Sequence, residues 1–278
     1  AFWRPDFEVD TYHTEAYFTD RLRDLLIDTA ALQVRADVPV GAHLSGGIDS
    51  SIVTMLAARV VKGPLKTFTG AFEGGAAFDE SPYARLVAEA AGAESFVVRP
   101  TAREFVDLLP RLVFHMDEPA AGPGLFPQYI VSRLAAQEVK VALGGQGGDE
   151  IFGGYARYVV AYLEQAIKGS IFQSTDEGEH IVSLKSILPN LPFLRAYVPM
   201  MKSFWESGAF QDMDQRYFAL IDRSEGALGT FSGDFRQGHQ REAIFARFQT
   251  LFHAPGTSSY FNKMVHYDMR ASLPALLQ

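Results

Sequence analysis

The sequence predicts an α/β fold, in which a doubly wound parallel sheet is followed by an α-helical C-terminal extension. Strand and helix patterns alternate along residues 38–154, and this alternation is typical of a parallel sheet with helices on both faces. Two glycine-rich segments each follow an apolar strand pattern, where open parallel sheets place their ligand-binding loops. Beyond residue 156 the strand patterns stop. We therefore expect a sheet core over residues 1–156 and a helical extension of the same domain over residues 157–278.

The elements of the sheet core are predicted from apolar spacing and from residues that begin or end helices. Leucines recur at helical spacing over residues 20–36, and Pro39 ends this helix because the residue before a proline avoids the helical conformation. Gly63 and Pro64 end the second helix. Thr101 and Glu104 fit the capping box of a helix start. The predicted strands are residues 38–44, 65–72, 95–99 and 139–143, and the predicted helices are residues 20–36, 50–61, 82 to the cap at Gly92, a helix after Thr101, and 125–137.

The extension is predicted to be helical in pieces. Residues 157–168 have a helical pattern, and the chain from Arg195 onward is aromatic-rich without strand alternation. Between them, residues 169–192 are a mixed stretch in which we expect a mobile loop. The chain ends in apolar sequence at Leu276-Leu277-Gln278, and we expect that more protein follows.

Composition excludes several classes of function. The 278 residues include 33 acidic and 25 basic side chains, for a net charge of −8, which argues against a broad nucleic-acid partner because such a protein needs a basic face. The longest apolar run is far shorter than the roughly 18 residues of a membrane span. No signal peptide is visible, and we expect a cytoplasmic protein. The chain has no cysteine, which excludes disulfides, thiolate metal sites and cysteine nucleophiles.

The strongest chemical signal is Ser45-Gly46-Gly47-Ile48-Asp49-Ser50-Ser51, called here the first glycine motif. It follows a predicted strand and opens a predicted helix, and free N–H groups at a helix start favour a phosphate. Asp49 is informative, since a carboxylate beside a phosphate is repelled unless a cation lies between them. The motif therefore indicates Mg²⁺ with a phosphate group. The alternative is a plain strand-to-helix turn with a serine cap.

Competing motifs are absent. The sequence has no Gly-Lys dipeptide, which excludes a Walker A loop. It has no G-x-G-x-x-G dinucleotide fingerprint, no G-x-S-x-G nucleophile elbow and no H-E-x-x-H metal helix.

A second glycine motif runs from Gly144 to Tyr155 as GGQGGDEIFGGY. It also follows an apolar strand pattern, and parallel sheets bind ligands beyond the carboxyl ends of their strands. Both motifs are therefore expected at the same edge, where Asp49 and Asp149 could hold one metal ion. The alternative is a glycine-rich connection with an incidental acidic pair.

These segments resemble a known family. SGGIDS is similar to the PP-loop of the N-type ATP pyrophosphatases, and the wider pattern resembles the synthetase domain of glutamine-dependent asparagine synthetases. The resemblance covers about residues 15–160, with a looser fit at SSYFNKMVHYDMRASLPALL. The matching segments, in family order, are DVPVGAHLSGGIDSS, TFTGAF, FDESPYARLVAEAAG, HMDEP and ALGGQGGDEIFGGY.

The resemblance implies a Rossmann-like fold of the adenine nucleotide alpha hydrolase type and an adenylating ligase with ATP and Mg²⁺ as cofactors. Such a domain activates a carboxylic acid, aspartate above all, as an acyl-adenylate, and ammonia then displaces AMP. In this sequence Asp49 and Asp149 would hold the metal. The implied phosphate contacts are Ser45, Gly46, Gly47, Asp49 and Ser50, the adenosine contacts are His43, Leu44 and Gly70, and the residues lining the nucleotide and acyl pocket are Gly144 and Gly145.

One position departs from the family pattern. Gln146 stands where relatives often carry a glutamate that manages protons, and a neutral amide cannot act as a base. Glu150, Asp117 and Glu118 are the candidate replacements. Two alternatives therefore stay open: an enzyme of the same family with another acceptor, such as a β-lactam-forming cyclase or a sugar or peptide amidotransferase, and a nucleotide-binding module without turnover.

Two parts of the family pattern are not in this sequence. The 278 residues contain neither a glutaminase half nor a later lysine of the family pattern. We therefore expect a partial chain that receives ammonia free or from a glutaminase, and homo-oligomer formation stays open.

Overall fold

A computed structural model of the chain describes residues 5–8, 10, 12–73, 75, 79–116, 124–172, 188–206, 208–222, 224, 229–238, 240–257 and 259–276. The chain divides into two compact units. The sheet unit comprises the described residues of 11–148 and 274–278, and the helical unit comprises those of 1–10 and 149–273. The predicted boundary at residue 156 concerns domain organisation and stays a prediction.

The sheet unit is built on four parallel strands in the order β3-β2-β1-β4. This arrangement confirms the predicted α/β fold. β1 and β2 are each three residues shorter than predicted and β4 is two residues shorter, because the pattern of apolar residues continues past the last ladder hydrogen bonds. β3 has the predicted length of five residues and begins one residue earlier. Their bounds are β1 Val40–His43, β2 Lys66–Gly70, β3 Glu94–Val98 and β4 Val141–Leu143.

Helices of the sheet unit connect these strands. Two predicted helix ends are confirmed: Gly92 caps α3 in a left-handed conformation, and Thr101 and Glu104 form the capping box of α4. The first helix begins five residues earlier than predicted, after Thr14, whose side chain accepts a hydrogen bond from the Tyr17 amide. The bounds are α1 Glu15–Gln33, α2 Ile48–Ala58, α3 Ser81–Ala91, α4 Ala102–His115 and α5 Leu125–Glu138.

Small apolar clusters fill the spaces around the sheet. Phe68 of β2 packs with Val131 and Ala135 of α5, and Leu44 packs with Ala84 and Ala88 of α3. These contacts hold the carboxyl end of β1 and the helices around it in fixed positions. Among the described residues, no helix is both long and apolar enough to cross a lipid bilayer.

The helical unit is helical in pieces, as predicted, and its described residues contain no strand. Aromatic and aliphatic side chains form its single large core cluster, with Tyr158, Tyr217, Phe252 and Met264 fully buried. Most of the loop predicted within residues 169–192 lies outside the described residues. The bounds are α6 Gly148–Phe152, α7 Ala156–Phe172, a 3-10 helix Leu188–Tyr197, α8 Val198–Glu206, α9 Met213–Ile221, α10 Gly233–Gly238, α11 Arg241–Phe252, α12 Tyr260–Tyr267, a π-helix Asp268–Ser272 and α13 Leu273–Leu276.

Candidate functional site

The strand order places the two glycine motifs at one edge of the sheet. β1 pairs with β4 on one side and with β2 on the other. From β1 the chain adds β2 and β3 on one side and then returns to add β4 on the opposite side, so the order of the strands reverses between β1 and β4. Such a switch point leaves a crevice at the carboxyl ends of the two strands. The first glycine motif follows β1 and the second follows β4, which confirms that both begin at the same edge.

Serine hydroxyls shape the first glycine motif. Ser45 Oγ and Ser50 Oγ lie 3.0 Å apart and share a hydrogen bond, and Ser45 Oγ also accepts from the Gly47 amide at 3.2 Å. Ser50 Oγ and Ser51 Oγ donate to the Gly47 carbonyl at 3.2 Å and 2.6 Å. The hydroxyls thus fix the turn onto α2, and those of Ser45 and Ser50 lie together at its start.

The start of α2 keeps its backbone donors available. Gly47 is the N-cap and makes no side-chain capping bond. The first described backbone bond onto the cap is from the Ser51 amide to the Gly47 carbonyl, at 3.0 Å. Within the described residues, the amides of Ile48, Asp49 and Ser50 have no hydrogen-bond acceptor, and such groups together with the helix dipole favour an anion.

Gly46 allows the motif to turn tightly. Its φ of +94° is one that side chains rarely adopt, and a Cβ there would lie 2.8 Å from the Glu80 carbonyl oxygen and 2.9 Å from the Ala84 nitrogen. The start of α3 therefore packs directly on this glycine. Residues 80–84 thus pack against the first glycine motif, a contact that was not predicted from the sequence.

The second glycine motif lies against the first turn of α2. A Cβ on Gly145 would lie 2.6 Å from the Ser50 nitrogen and 2.9 Å from Asp49 Cβ, and the carboxylate of Asp49 lies against Gly148. Only residues without side chains allow this approach. The sequence predicted only that the two motifs lie at the same edge of the sheet, and the structure adds that residues 145 and 148 of the second motif contact Asp49 and Ser50.

Gln146 occupies the tip of a turn. The Gly148 amide donates to the Gly145 carbonyl at 3.2 Å, and Gly147 has a φ of +95°, as the third position of a type II turn requires. Gln146 is exposed, and its Oε1 is near Gly144. The side chain is thus accessible to a ligand but can only donate or accept neutral hydrogen bonds.

The predicted adenosine contacts lie at the ends of two neighbouring strands. His43 ends β1 and Gly70 ends β2, and burial lowers the pKa of His43 below its usual value. The Leu44 side chain is buried against α3, while its carbonyl accepts from Thr69 Oγ1 at 2.7 Å. Leu44 therefore offers a ligand little beyond its backbone, whereas His43 is only partly buried and neutral near neutral pH.

Two acidic candidates belong to the helical unit. Glu150 is buried and accepts a hydrogen bond from the Tyr155 hydroxyl at 2.7 Å. Asp149 follows Gly148 in α6, and its carboxylate lies against Gly154. The shared metal site of Asp49 and Asp149 stays a prediction, as does a proton-transfer role for Glu150.

The remaining acidic candidates, Asp117 and Glu118, lie outside the described residues. In the part of the chain that the structure describes, no three His, Asp or Glu side chains form a group that could hold a metal ion by themselves. A metal at Asp49 would therefore need most of its ligands from phosphate oxygens and water, as Mg²⁺ commonly does.

Sequence reasoning missed a cluster in the helical unit. Arg157 donates to the buried carboxylate of Asp268 at 2.7 Å, across 111 residues of sequence. Arg157 begins a predicted helix and Asp268 lies in the segment that fits the family loosely, but neither pattern says which residue 111 positions away is its partner.

Comparison with known proteins agrees with this geometry. The profile of the asparagine synthase family matches residues 21–278, which is most of the chain. The chain belongs to the asparagine synthase family. The predicted resemblance is therefore confirmed, including for the helical part that the sequence motifs covered only loosely.

Individual relatives match about half of the chain. An asparagine synthetase (glutamine-hydrolyzing) of Bacillus subtilis is 42% identical over 137 residues, covering 49% of this chain and 21% of the relative. An amidase of Gibberella zeae is 28% identical over 165 residues, covering 54% of this chain and 25% of the relative. The chain thus spans about a fifth to a quarter of the length of these relatives.

Among solved structures, an NH3-dependent NAD synthetase from Campylobacter jejuni, in complex with the nitrate ion, aligns with 83% of this chain and 93% of its own. The identity is 15% and the TM-score is 0.35. A likeness at this level carries no weight for the function of the present chain.

Proposed function

We propose that this chain is the ATP-binding synthetase part of an enzyme that adenylates a carboxylic acid and transfers the acyl group to ammonia, with release of AMP and pyrophosphate. The observation that carries the proposal is the pair of glycine motifs beyond β1 and β4, at the switch point of the sheet. Membership of the asparagine synthase family supports it.

The donors at the start of α2 fit a polyphosphate. Within the described residues, the amides of Ile48, Asp49 and Ser50 are donors without an acceptor, and the side-chain-free Gly47 at the N-cap adds no capping group to cover them. Phosphate oxygens are acceptors without donors, and they match such a set. Ser45, Gly46, Gly47 and Ser50 therefore bind pyrophosphate in this proposal, with His43, Leu44 and Gly70 toward the adenosine and Gly144 and Gly145 lining the pocket.

Asp49 fits a magnesium ion better than a phosphate. Its carboxylate stands in the first turn of α2 among donors suited to an anion, and two negative groups repel each other unless a cation lies between them. Asp49 and Asp149 therefore hold Mg²⁺ in this proposal. When bound, the ion would neutralise the charge that develops on the departing pyrophosphate.

The bond that is broken tests the proposal. The chain is incubated with Mg²⁺, ATP labelled at the α-phosphate, and aspartate with ammonia, and products are separated by chromatography. An adenylating enzyme yields labelled AMP and pyrophosphate, whereas a kinase-type enzyme yields ADP. The matched control is Gly47→Ala. If the activity belongs to this chain and not to a contaminating enzyme, the variant should lose it. Labelled ADP as the main product would overturn the adenylation mechanism.

Aspartate is the proposed acid and ammonia the proposed nucleophile, supplied free or by a glutaminase. The same assay with a panel of amino acids and dicarboxylic acids, scored by pyrophosphate release, identifies the acid. If pyrophosphate release depends on another acid, that acid replaces aspartate as the proposed substrate, and the adenylation step is unaffected.

Gln146 favours a second candidate, in which adenylation is retained but amide formation is slow or uses another acceptor. A well-placed base contributes about 10²- to 10⁴-fold in typical enzymes, and the exposed amide of Gln146 supplies none. Glu150 is a poor replacement because it is buried and already accepts from Tyr155. The roles proposed for Asp117 and Glu118 rest on their place in the sequence alone.

The ratio of amide to pyrophosphate separates these candidates. For slow amidation, pyrophosphate exceeds amide, hydroxylamine traps the acyl group, and Gln146→Glu raises amide formation more than adenylation. Glu150→Gln keeps an acceptor for the Tyr155 hydroxyl, and it should lower amide formation more than pyrophosphate release only if Glu150 is the base. A chain that binds ATP and releases neither product is a nucleotide-binding module.

A further inference from the structure

A buried carboxylate in the π-helix organises the centre of the helical unit. Asp268 is fully buried, and its Oδ2 accepts from the hydroxyls of Tyr158 at 2.5 Å and Tyr217 at 2.7 Å and from Arg157 Nη2 at 2.7 Å. Its Oδ1 accepts from Ser272 Oγ at 2.7 Å. Removing this carboxylate would leave the Arg157 charge without its partner, which is costly in a partly desolvated site.

Arg157 connects this carboxylate to the second glycine motif. Its guanidinium lies 3.8 Å from the centre of the Tyr155 ring, and the Tyr155 hydroxyl donates to Glu150 Oε1 at 2.7 Å. Burial and the hydrogen bond to Glu150 raise the pKa of Tyr155, so the phenol stays protonated and remains a donor. A continuous set of contacts therefore runs from Asp268 to α6.

The segment between these contacts folds back on Asp149. The Gly154 amide donates to the Asp149 carbonyl at 3.0 Å, and the Asp149 carboxylate lies against Gly154. On the other side, Gly153 is packed so closely on Phe261 that a Cβ would lie 2.5 Å from the ring. The position of Asp149 thus depends on the path of residues 153–155, which Tyr155 and Arg157 hold.

We propose that Asp268 and Arg157 are positioning residues for Asp149, acting through Tyr155 and the turn at Gly153-Gly154. This inference rests on the proposed function, in which Asp149 is a ligand of Mg²⁺. The two residues touch neither ATP nor metal in the proposal. They fix the backbone and side chain of Asp149 before the ion binds, so that binding loses less conformational entropy.

The helical unit offers a matched control for a purely structural role. Arg216 and Glu164 form a second buried pair, with both side chains 1% exposed and an Nη2–Oε2 distance of 2.7 Å. Glu164 lies in α7, as Arg157 does, but its described hydrogen bonds go to Arg216 and to the Phe210 amide rather than to the second glycine motif. Glu164→Gln should therefore destabilise the unit without loosening Asp149.

The experiment compares Asp268→Asn, Arg157→Lys, Tyr155→Phe and Glu164→Gln in the 278-residue chain. Hydrogen–deuterium exchange is followed at the amides of residues 149–155, and Mg²⁺-dependent ATP binding is measured by calorimetry, with ATP alone as reference. Thermal unfolding is recorded for each variant. Tyr155→Phe removes one hydroxyl and keeps the ring under Arg157, so it remains informative if Asp268→Asn does not fold.

Asp268→Asn and Arg157→Lys should speed exchange at residues 149–155 by about tenfold or more, because local opening becomes easier. They should raise the Mg²⁺ concentration for half-maximal ATP binding by about fivefold, and leave metal-free ATP binding unchanged. Tyr155→Phe should act in the same direction by about threefold. Glu164→Gln should lower the unfolding temperature but change neither the exchange at residues 149–155 nor the Mg²⁺ concentration for half-maximal ATP binding.

Equal exchange at residues 149–155 in all variants would overturn the positioning role, as would a Glu164→Gln variant that alters the Mg²⁺ requirement as much as Asp268→Asn. A wild-type chain that binds no Mg-ATP while the exchange differences are present would instead overturn the proposed function. The two failures are therefore distinguishable.

Discussion

The helices α2 and α4 both begin after parallel strands, but only α4 has its first backbone amides capped by side chains. At α4, Thr101 Oγ1 accepts from the Glu104 amide at 3.2 Å, and Glu104 Oε2 accepts from the Thr101 amide at 3.0 Å. At α2, Gly47 provides no side chain, and the nearby hydroxyls are bonded to one another and to the Gly47 carbonyl. One helix start is closed by its own side chains and the other is left open.

The difference separates stability from binding. A serine or threonine N-cap contributes about 1 kcal/mol to the free energy of unfolding relative to alanine and a few tenths of a kcal/mol relative to glycine, so α2 gives up a small contribution at the edge where the two glycine motifs meet. An open helix start keeps its donors and its dipole for a ligand. A helix start without a cap, beside close glycine contacts, thus indicates a site where the sequence favours a ligand over local stability.

The largest effect on this comparison is expected from Gly46→Ala. A side chain at positive φ costs about 1–2 kcal/mol, and contact with the Glu80 carbonyl and the Ala84 nitrogen adds about 1–3 kcal/mol of overpacking. We expect a free energy of unfolding lower by about 3 kcal/mol in urea titrations, and loss of ATP binding.

Gly63→Ala is the matched control for Gly46→Ala. Gly63 also has a positive φ, +85°, but a Cβ there would meet nothing within 4 Å. It should lose only about 1 kcal/mol and keep ATP binding. Equal losses for the two variants would mean that the packing of α3 on Gly46 is unimportant.

Gly47→Ala should affect binding rather than folding. With a φ of −69° and a Cβ 3.4 Å from Ser45 Oγ, alanine fits the backbone, and stability should change by less than about 1 kcal/mol. The added methyl group keeps a phosphate from the open amides. Loss of one charge-assisted hydrogen bond, about 1.5–3 kcal/mol, predicts Mg-ATP affinity weaker by about ten- to a hundredfold in calorimetry. Unchanged affinity would place the phosphate elsewhere.

Asp49→Asn and Asp149→Asn test the shared metal. Each should weaken Mg-ATP binding by about tenfold, or about 1.4 kcal/mol, while metal-free ATP should bind no worse, because a repulsive charge is removed. Asp28→Asn, an exposed carboxylate on α1, is the charge-matched control. If Asp149→Asn leaves the Mg-ATP affinity at the wild-type value, the two carboxylates do not share an ion.

Thr101→Ala should have the smallest effect and act on stability alone. It removes the capping box of α4, which should lower the free energy of unfolding by about 1 kcal/mol. Mg-ATP affinity should stay within a factor of two of wild type. A larger loss of affinity would show that the closed helix start also contributes to the site, and the contrast with α2 would fail.

Much of the sheet unit was predictable because its signals are local. Thr101 and Glu104 are three residues apart and cap one helix, and Gly92 ends α3 in the conformation that glycine favours. The strand ends were less accurate, since β4 has only three residues and the apolar pattern around it continues further. Spacing along the chain records such features directly, whereas the length of a ladder depends on the neighbouring strands.

The site was only partly predictable. The glycines of both motifs could be assigned to one edge of the sheet, because parallel strands carry their loops on the same side. Their close contact, with Gly145 against Ser50, was expected only in outline. The burial of Glu150 against Tyr155 was not expected, because the sequence gives an acidic pair in a glycine-rich segment without saying which member is covered.

The sequence by itself determined the α/β class, the two glycine motifs and the family, since each depends on residue types at short, fixed spacings, whereas the uncapped start of α2 at Gly47 was seen only in the structure. Only the tertiary structure decided the strand order, the packing of α3 on Gly46 and the burial of Asp268 among Arg157, Tyr158 and Tyr217. These features join residues tens to more than a hundred positions apart. Their pairing is fixed by the shape and charge of the folded core, and a linear pattern of apolar and polar residues does not encode which distant partners meet.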